Sequence, residues 1–319
     1  MVNKIILSLL GFVPSTCTFA HAQTFKPAPG NFPAKGDGDY AGGIFSIPLS
    51  ELGKYAGAGG TGSETPKGTG AKTSGSGPYP AVMTTDSTLP GHTIFAPKSP
   101  PSGNLSLPFI AWGNGACMLN AGEYERLLVE IASYGYVIAA DGSPTGSGST
   151  SQQSKVQDMR DSLDWAFAGK ASKYGNVDLT KVTTAGHSCG GLEAMSTAYH
   201  DERVKRIIMF NIAIFQDDRR YLLQEIKVPV AYLIGGSKDM GYSTSAKDYA
   251  LLNTGLPKLR ANLDTGHGGT FQATNGGKQG KAAVAYLEWQ WRDNATAKAY
   301  ILNGGLTKDN WVVEHANWS

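Results

Sequence analysis

Charge, cysteine and long apolar runs are all in short supply in this chain. Only 17% of its 319 residues are charged, and the formal net charge is +2. Lysines and arginines are scattered among acids rather than gathered in a run, so no nucleic-acid partner is expected. A membrane span needs about 20 consecutive apolar residues. No segment reaches that length, and no membrane anchor is expected. The three cysteines and six histidines form no cluster at ligand spacing, which leaves no reason to expect a metal or another cofactor. There is no internal repeat.

What is present begins at the N-terminus. Lys4 precedes the short apolar run Ile5–Val13, and Ala20-His21-Ala22 places small residues where a signal peptidase reads them. This is the pattern of a secretory signal over residues 1–22, cleaved near Ala22. The mature protein is then secreted, extracellular or periplasmic, and a monomer is expected. Cys17 leaves with the signal, so an even pair, Cys117 and Cys189, remains for an oxidising compartment. Asn104, Asn294 and Asn317 head glycosylation sequons, which matter in a eukaryotic host. Residues 23–77 are rich in Gly, Ser, Thr, Ala and Pro and read as a flexible segment without a core-forming pattern.

After Pro78 the pattern changes to alternating strands and helices. Strands are expected at 92–96, 107–112, 136–140, 182–186, 206–210, 228–235 and 259–263. Helical spacing runs over 121–133, 156–169 and 280–291. Fully apolar strands alternating with helices predict an α/β domain over residues 78–300, a mostly parallel central sheet covered by helices on both faces. Residues 301–319 read as a C-terminal tail. The stretch between Phe210 and Val228 is too short for a large lid domain, so an open site is expected.

The most informative segment is Gly186-His187-Ser188-Cys189-Gly190. It follows an apolar β-branched strand and opens a helix-compatible run, the context that turns Gly-x-Ser-x-Gly into a nucleophile elbow. A serine hydroxyl is a weak nucleophile and needs a base within reach, itself oriented by an acid. Of the six histidines, His21 goes with the signal, His92 and His187 precede the serine, and His200 lies on its helix. His267, in a small-residue loop after the last strand, is the candidate base, with His315 in the tail as its rival. Asp239, beyond the strand ending at Gly235, is the candidate acid. Asp264, three residues from His267, reads as the cap of its own turn.

An oxyanion hole needs two donors. Candidates are the backbone N–H groups of Cys189 and of Asn114, in the loop Trp112-Gly113-Asn114-Gly115; Asn114 could instead be an ordinary left-handed turn residue. If the two loops adjoin, Cys117 and Cys189 can form a disulfide; two free buried thiols are the alternative. Trp112 and Tyr242 flank these loops and are candidate substrate walls, or plain packing.

With these residues named, the chain resembles the α/β-hydrolase superfamily. The likeness is nearest to secreted dienelactone-hydrolase-type and bacterial cutinase/polyesterase-type serine esterases. It spans about 91–294 and rests on His92-Thr-Ile-Phe, Glu130-Ile-Ala-Ser-Tyr-Gly-Tyr-Val-Ile, Gly186-His-Ser-Cys-Gly-Gly191, the Gly235…Asp239 loop and Gly266-His267. The resemblance implies the α/β-hydrolase fold, a Ser188/Asp239/His267 triad and the oxyanion donors already named; small-molecule or polymeric esters are the expected substrates, but polyester does not follow from the likeness. Such polyesterases usually carry an aromatic where Asn114 stands, a methionine where Cys189 stands, and a cysteine pair near the C-terminus. Rival readings are an acyltransferase using the same triad and a catalytically inactive binding protein.

Overall fold

Runs such as Phe109-Ile-Ala-Trp112 and Ile207-Ile-Met-Phe210 are apolar at every position, which demands cover on both faces of the sheet they enter. The computed structural model describes residues 32–55, 69–146 and 151–318, and it meets that demand with a nine-stranded sheet. The strands are β1 (Ala81–Thr85), β2 (His92–Pro97), β3 (Ser106–Gly113), β4 (Val137–Asp141), β5 (Asn176–His187), β6 (Arg206–Phe210), β7 (Val230–Ile234), β8 (Lys258–Asn262) and β9 (Val312–Ala316). Their spatial order is β1-β2-β4-β3-β5-β6-β7-β8-β9. Strands β4 through β8 in that row run parallel; β1, β2 and β9 are antiparallel additions at the two edges.

The helices are α1 (Leu52–Tyr55), α2 (Glu125–Ala132), α3 (Val156–Phe167), α4 (Cys189–Ala198), α5 (Gly241–Leu251), α6 (Gly277–Arg292), α7 (Ala295–Leu302) and α8 (Gly305–Lys308). Side chains alternate across each strand, and this divides the interior into two cores. Phe109, Ala111, Ile207 and Met209 pack with Met159 and Leu163 of α3 and Leu192 of α4. Ile110, Trp112, Ile208 and Phe210 pack with Leu127 and Leu128 of α2 and Tyr286 of α6. All ten residues of α4 are buried, the polar side chains of Glu193, Ser196 and Thr197 included.

Two stretches differ from expectation. The segment before Pro78 packs, where it is described. Ile44, Phe45 and Ile47 are buried, and the Ser196 hydroxyl of α4 donates to the Gly42 carbonyl at 2.7 Å. Gly36, Gly42 and Gly43 read as chain flexibility in the sequence, but they serve close approach instead. A Cβ on Gly36 would stand 1.7 Å from the Ser196 carbonyl oxygen. Farther on, Gly70 N–H donates to the Gln272 carbonyl at 2.8 Å.

The C-terminal tail is likewise part of the fold. Residues 312–316 form β9 beside β8, with His315 opposite Leu259, and Leu306 and Trp311 are buried. The domain boundaries expected at 77/78 and 300/301 therefore do not delimit the folded body, which runs from Phe32. The expected signal at 1–22 and residues 23–31 and 56–68 of the segment expected to be flexible lie outside the described residues.

No helix among the described residues is long and apolar enough to cross a membrane. The connection from Phe210 to Val228 holds only a 3-10 turn, Arg220–Glu225.

Candidate active site

Strand β3 is followed by β4 on one side of it and, after a crossover, by β5 on the other. The crevice beyond the carboxyl ends of β3 and β5 is the switch point where open parallel sheets place their ligands. Ser188 stands at its centre, between the last residue of β5 and the first of α4. Its backbone is held at φ 53° and ψ −124°, a conformation costly for a side chain other than glycine. The surroundings enforce it: Ser188 N–H donates to the Phe210 carbonyl at 3.0 Å, while the Ser188 carbonyl accepts from Gly191 N–H at 2.9 Å.

Glycines make the turn possible. A Cβ on Gly190 would lie 2.0 Å from the Gly113 carbonyl carbon, and one on Gly186 would lie 2.2 Å from the Gly190 oxygen. Bare backbone is what lets β3, β5 and α4 meet here.

The structure brings the three expected side chains together. His267 Nε2 lies 2.9 Å from Ser188 Oγ, and His267 Nδ1 lies 2.8 Å from Asp239 Oδ1. Asp239 is buried, and its carboxylate also accepts Gly235 N–H at 2.8 Å and Gly241 N–H at 3.1 Å. Those two donors fix the carboxylate and leave one oxygen aimed at the imidazole. The rival His315 is across the sheet edge in β9.

Disulfide Cys117–Cys189 is present. It ties the loop after β3 to the first residue of α4. Asn114 lies within that loop in an extended conformation at φ −91°, so it is not a left-handed turn residue. Its buried side chain accepts from Trp112 Nε1–H at 3.1 Å and donates to the carbonyls of Met118 and Asp141 at 2.8 and 2.6 Å. The Asn114 carbonyl accepts Gly190 N–H at 3.0 Å, which sets the loop backbone against the start of α4. As the first residue of α4, Cys189 has an N–H with no intrahelical acceptor.

Trp112 is not a substrate wall. It is 1% exposed, with its ring packed on Tyr124 and Phe210; its parity along β3 matches Ile110 and turns it into the α2/α6 core. Tyr242 is exposed, and its ring lies over the guanidinium of Arg260 in β8.

Four residues that sequence reasoning did not single out hold His267 in place. The carbonyl of His267 accepts from Asn211 Nδ2 at 2.7 Å and from His187 Nε2–H at 2.9 Å. Asn211 is itself held by Gln279 of α6 at 2.8 Å. His187 Nδ1 then accepts from the Tyr124 hydroxyl at 2.8 Å, and the Tyr124 oxygen accepts Gly115 N–H at 2.8 Å. One line of hydrogen bonds thus joins the loop after β3, the elbow and the His267 loop. Burial, and then the nearby His267 ring, push the His187 pKa well below its ordinary value. A neutral His187 fits its one donor and one acceptor contact, and it places no second cation beside His267. The Gly-x-Ser-x-Gly motif contains His187, but nothing in the sequence reveals its partner Tyr124.

No protein-family model matches the chain, and no significant match to a curated protein is found.

Two measurable consequences follow from groups around the site. Tyr124→Phe leaves Gly115 N–H and His187 Nδ1 without their buried partner. Urea unfolding should show a loss of about 1–3 kcal/mol.

The second concerns His92, which faces Asp141 across β2 and β4. Its ring nitrogens lie 3.3 Å from the Pro90 carbonyl and 2.9 Å from the Asp158 carbonyl, and only a doubly protonated ring can donate to both. Burial lowers the His92 pKa, but Asp141, with its carboxylate 3.4 Å away, and the two carbonyls outweigh it and raise the value to about 9. Because the folded pKa is the higher one, this stability is complete below about pH 6.5 and lost as pH rises through about 9. Urea unfolding between pH 6 and 10 should show a decline of the order of 3 kcal/mol, and His92→Gln should flatten it.

Proposed function

We propose that this chain is a secreted serine carboxylic-ester hydrolase built on an α/β-hydrolase fold. The observation that carries the reading is the continuous Asp239–His267–Ser188 hydrogen-bond line at the sheet's switch point. Its order in the chain, serine then acid then histidine, is the one this fold uses. The secretory pattern at residues 1–22 and a disulfide suited to an oxidising compartment support the location.

In this mechanism His267 Nε2 takes the proton from Ser188 Oγ as the oxygen adds to the ester carbonyl. Asp239 holds the Nδ1–H tautomer and stabilises the imidazolium that forms. The N–H of Cys189, at the positive end of α4, and that of Asn114 donate to the developing oxyanion. His267 then returns its proton to the departing alkoxide, leaving an acyl group on Ser188. Water, deprotonated by the same imidazole, adds to the acyl carbonyl, and the acid departs with Ser188 Oγ–H restored.

Diisopropyl fluorophosphate tests the reading directly. Peptide mass spectrometry should find one diisopropylphosphoryl group, on Ser188, with loss of p-nitrophenyl acetate hydrolysis in proportion. A folded protein that takes up no label, or takes it at another serine, would overturn the assignment. Product analysis with added alcohol separates hydrolysis from acyl transfer.

A further inference from the structure

Against the loop that follows β3 lie two carboxyl groups that the proposed mechanism does not use. Asp141 ends β4 and Glu193 sits on α4; they are 1% and 0% exposed, and they meet at hydrogen-bonding range. Among the described residues no donor reaches either oxygen of Asp141 or Oε1 of Glu193. Glu193 Oε2 accepts from the Ser154 hydroxyl at 3.0 Å. The cation facing the pair is His92, 3.4 Å from Asp141 Oδ1, and Asp158 adds a further negative charge nearby.

Charge balance sets the protonation state. His92 offsets one carboxylate, that of Asp141 beside it. A second buried carboxylate would have no counter-ion, and two like charges this close force one group to keep its proton. Burial, and then the Asp141 charge, hold the Glu193 carboxyl well above the ordinary carboxylate range. One proton on Glu193 Oε1 removes the excess charge and supplies the donor that Asp141 lacks. The other oxygen still accepts from Ser154.

Both neighbours of that acid are tied to the loop. The Asp141 carbonyl accepts from Asn114 Nδ2 at 2.6 Å, and Ser154 N–H donates to the Cys117 carbonyl at 2.8 Å. A Cβ on Gly113 would stand 2.9 Å from Glu193 Oε2, so the acid also fills the space beside the end of β3. We infer that Glu193 is a positioning residue, a neutral acid that donates to Asp141, accepts from Ser154, and thereby sets the 113–118 loop and its Asn114 N–H against the start of α4. The bearing on the oxyanion rests on the proposed role of Ser188; the bracing of the loop does not.

The test uses the full chain with Glu193→Gln, Glu193→Leu and Ser154→Ala variants. The infrared difference spectrum of wild type minus Glu193→Gln at neutral pH should show the carbonyl stretch of a protonated carboxyl. Asp248, which burial pushes up to about 7, is common to both samples and cancels. Amide hydrogen exchange across 113–118 should match wild type in Glu193→Gln, whose amide can donate to Asp141 and accept from Ser154. It should rise at least roughly fivefold in Ser154→Ala and in Glu193→Leu. In Ser154→Ala, kcat on p-nitrophenyl acetate should fall at least tenfold with KM within twofold, because an oxyanion donor acts on the transition state.

Absence of a Glu193-dependent band, or loop exchange unaltered in Ser154→Ala, would overturn the inference. Should Glu193→Leu not fold, Ser154→Ala alone decides the loop measurement. Undiminished kcat in a Ser154→Ala protein whose loop has loosened would overturn the link to the oxyanion. The band together with a Ser154-dependent loop, in a chain whose Ser188 takes no organophosphate, would uphold the brace and sink the nucleophile.

Discussion

Ser188→Ala is expected to lower p-nitrophenyl acetate turnover by roughly 10⁴–10⁶-fold, because nucleophile, base and acid act as a unit rather than additively. The fold should not suffer. The hydroxyl's hydrogen bond is to His267 Nε2, and the turn is held by backbone bonds that alanine retains, Ser188 N–H to Phe210 and Gly191 N–H to Ser188. A melting temperature within about 2 °C of wild type is expected. Steady-state rates and a thermal melt on the same preparation check both halves. A variant that keeps a tenth of the activity would mean that another group does the chemistry. One that melts far lower would mean that the hydroxyl is structural.

Loss of the Cys117–Cys189 disulfide should have the largest effect on stability. The bond closes a sequence separation of 72 residues, for which the chain-entropy relation gives about 4 kcal/mol. In a chain of this size that corresponds to a melting temperature lower by roughly 6 °C. Ala116 and Cys117 both sit at positive φ, 52° and 51°, and the cross-link helps to hold that pair in place, so release of the strain offsets part of the loss. Once it is broken, the loop can relax and carry the Gly115–Tyr124–His187 line with it, so activity should fall together with stability. Differential scanning fluorimetry of Cys117→Ser against wild type, with and without dithiothreitol, is the measurement. Equal melting of all samples would show that the cross-link contributes nothing.

How much of this was legible in the sequence depended on the range of the forces involved. The positions of Ser188, Asp239 and His267 could be read because each follows an apolar strand at the end where such sheets carry polar groups. Cys117 and Cys189 could be paired because both belong to loops already placed beside each other.

Trp112 went astray through parity. It lies next to the loop after β3, yet it shares the phase of Ile110 and so faces a core. Strand β9 was missed because Val312-Val-Glu-His-Ala316 is short and polar at two positions, with Val312 67% exposed. Its pairing depends on β8, more than 50 residues earlier. The segment containing Gly36, Gly42 and Gly43 was missed for another reason: composition cannot distinguish a glycine kept for freedom from one kept for proximity. Helix α4 supplies the difference, and it lies about 150 residues away. The support of His267 by Tyr124 and Asn211 likewise joins residues far apart in the chain.

The glycine contacts where β3, β5 and α4 meet leave little room for variation. Any side chain at 113, 186 or 190 would prise the serine away from its donors, so random libraries covering those positions should yield mostly inert clones. An engineer varying this protein would do best to leave the glycine junction untouched.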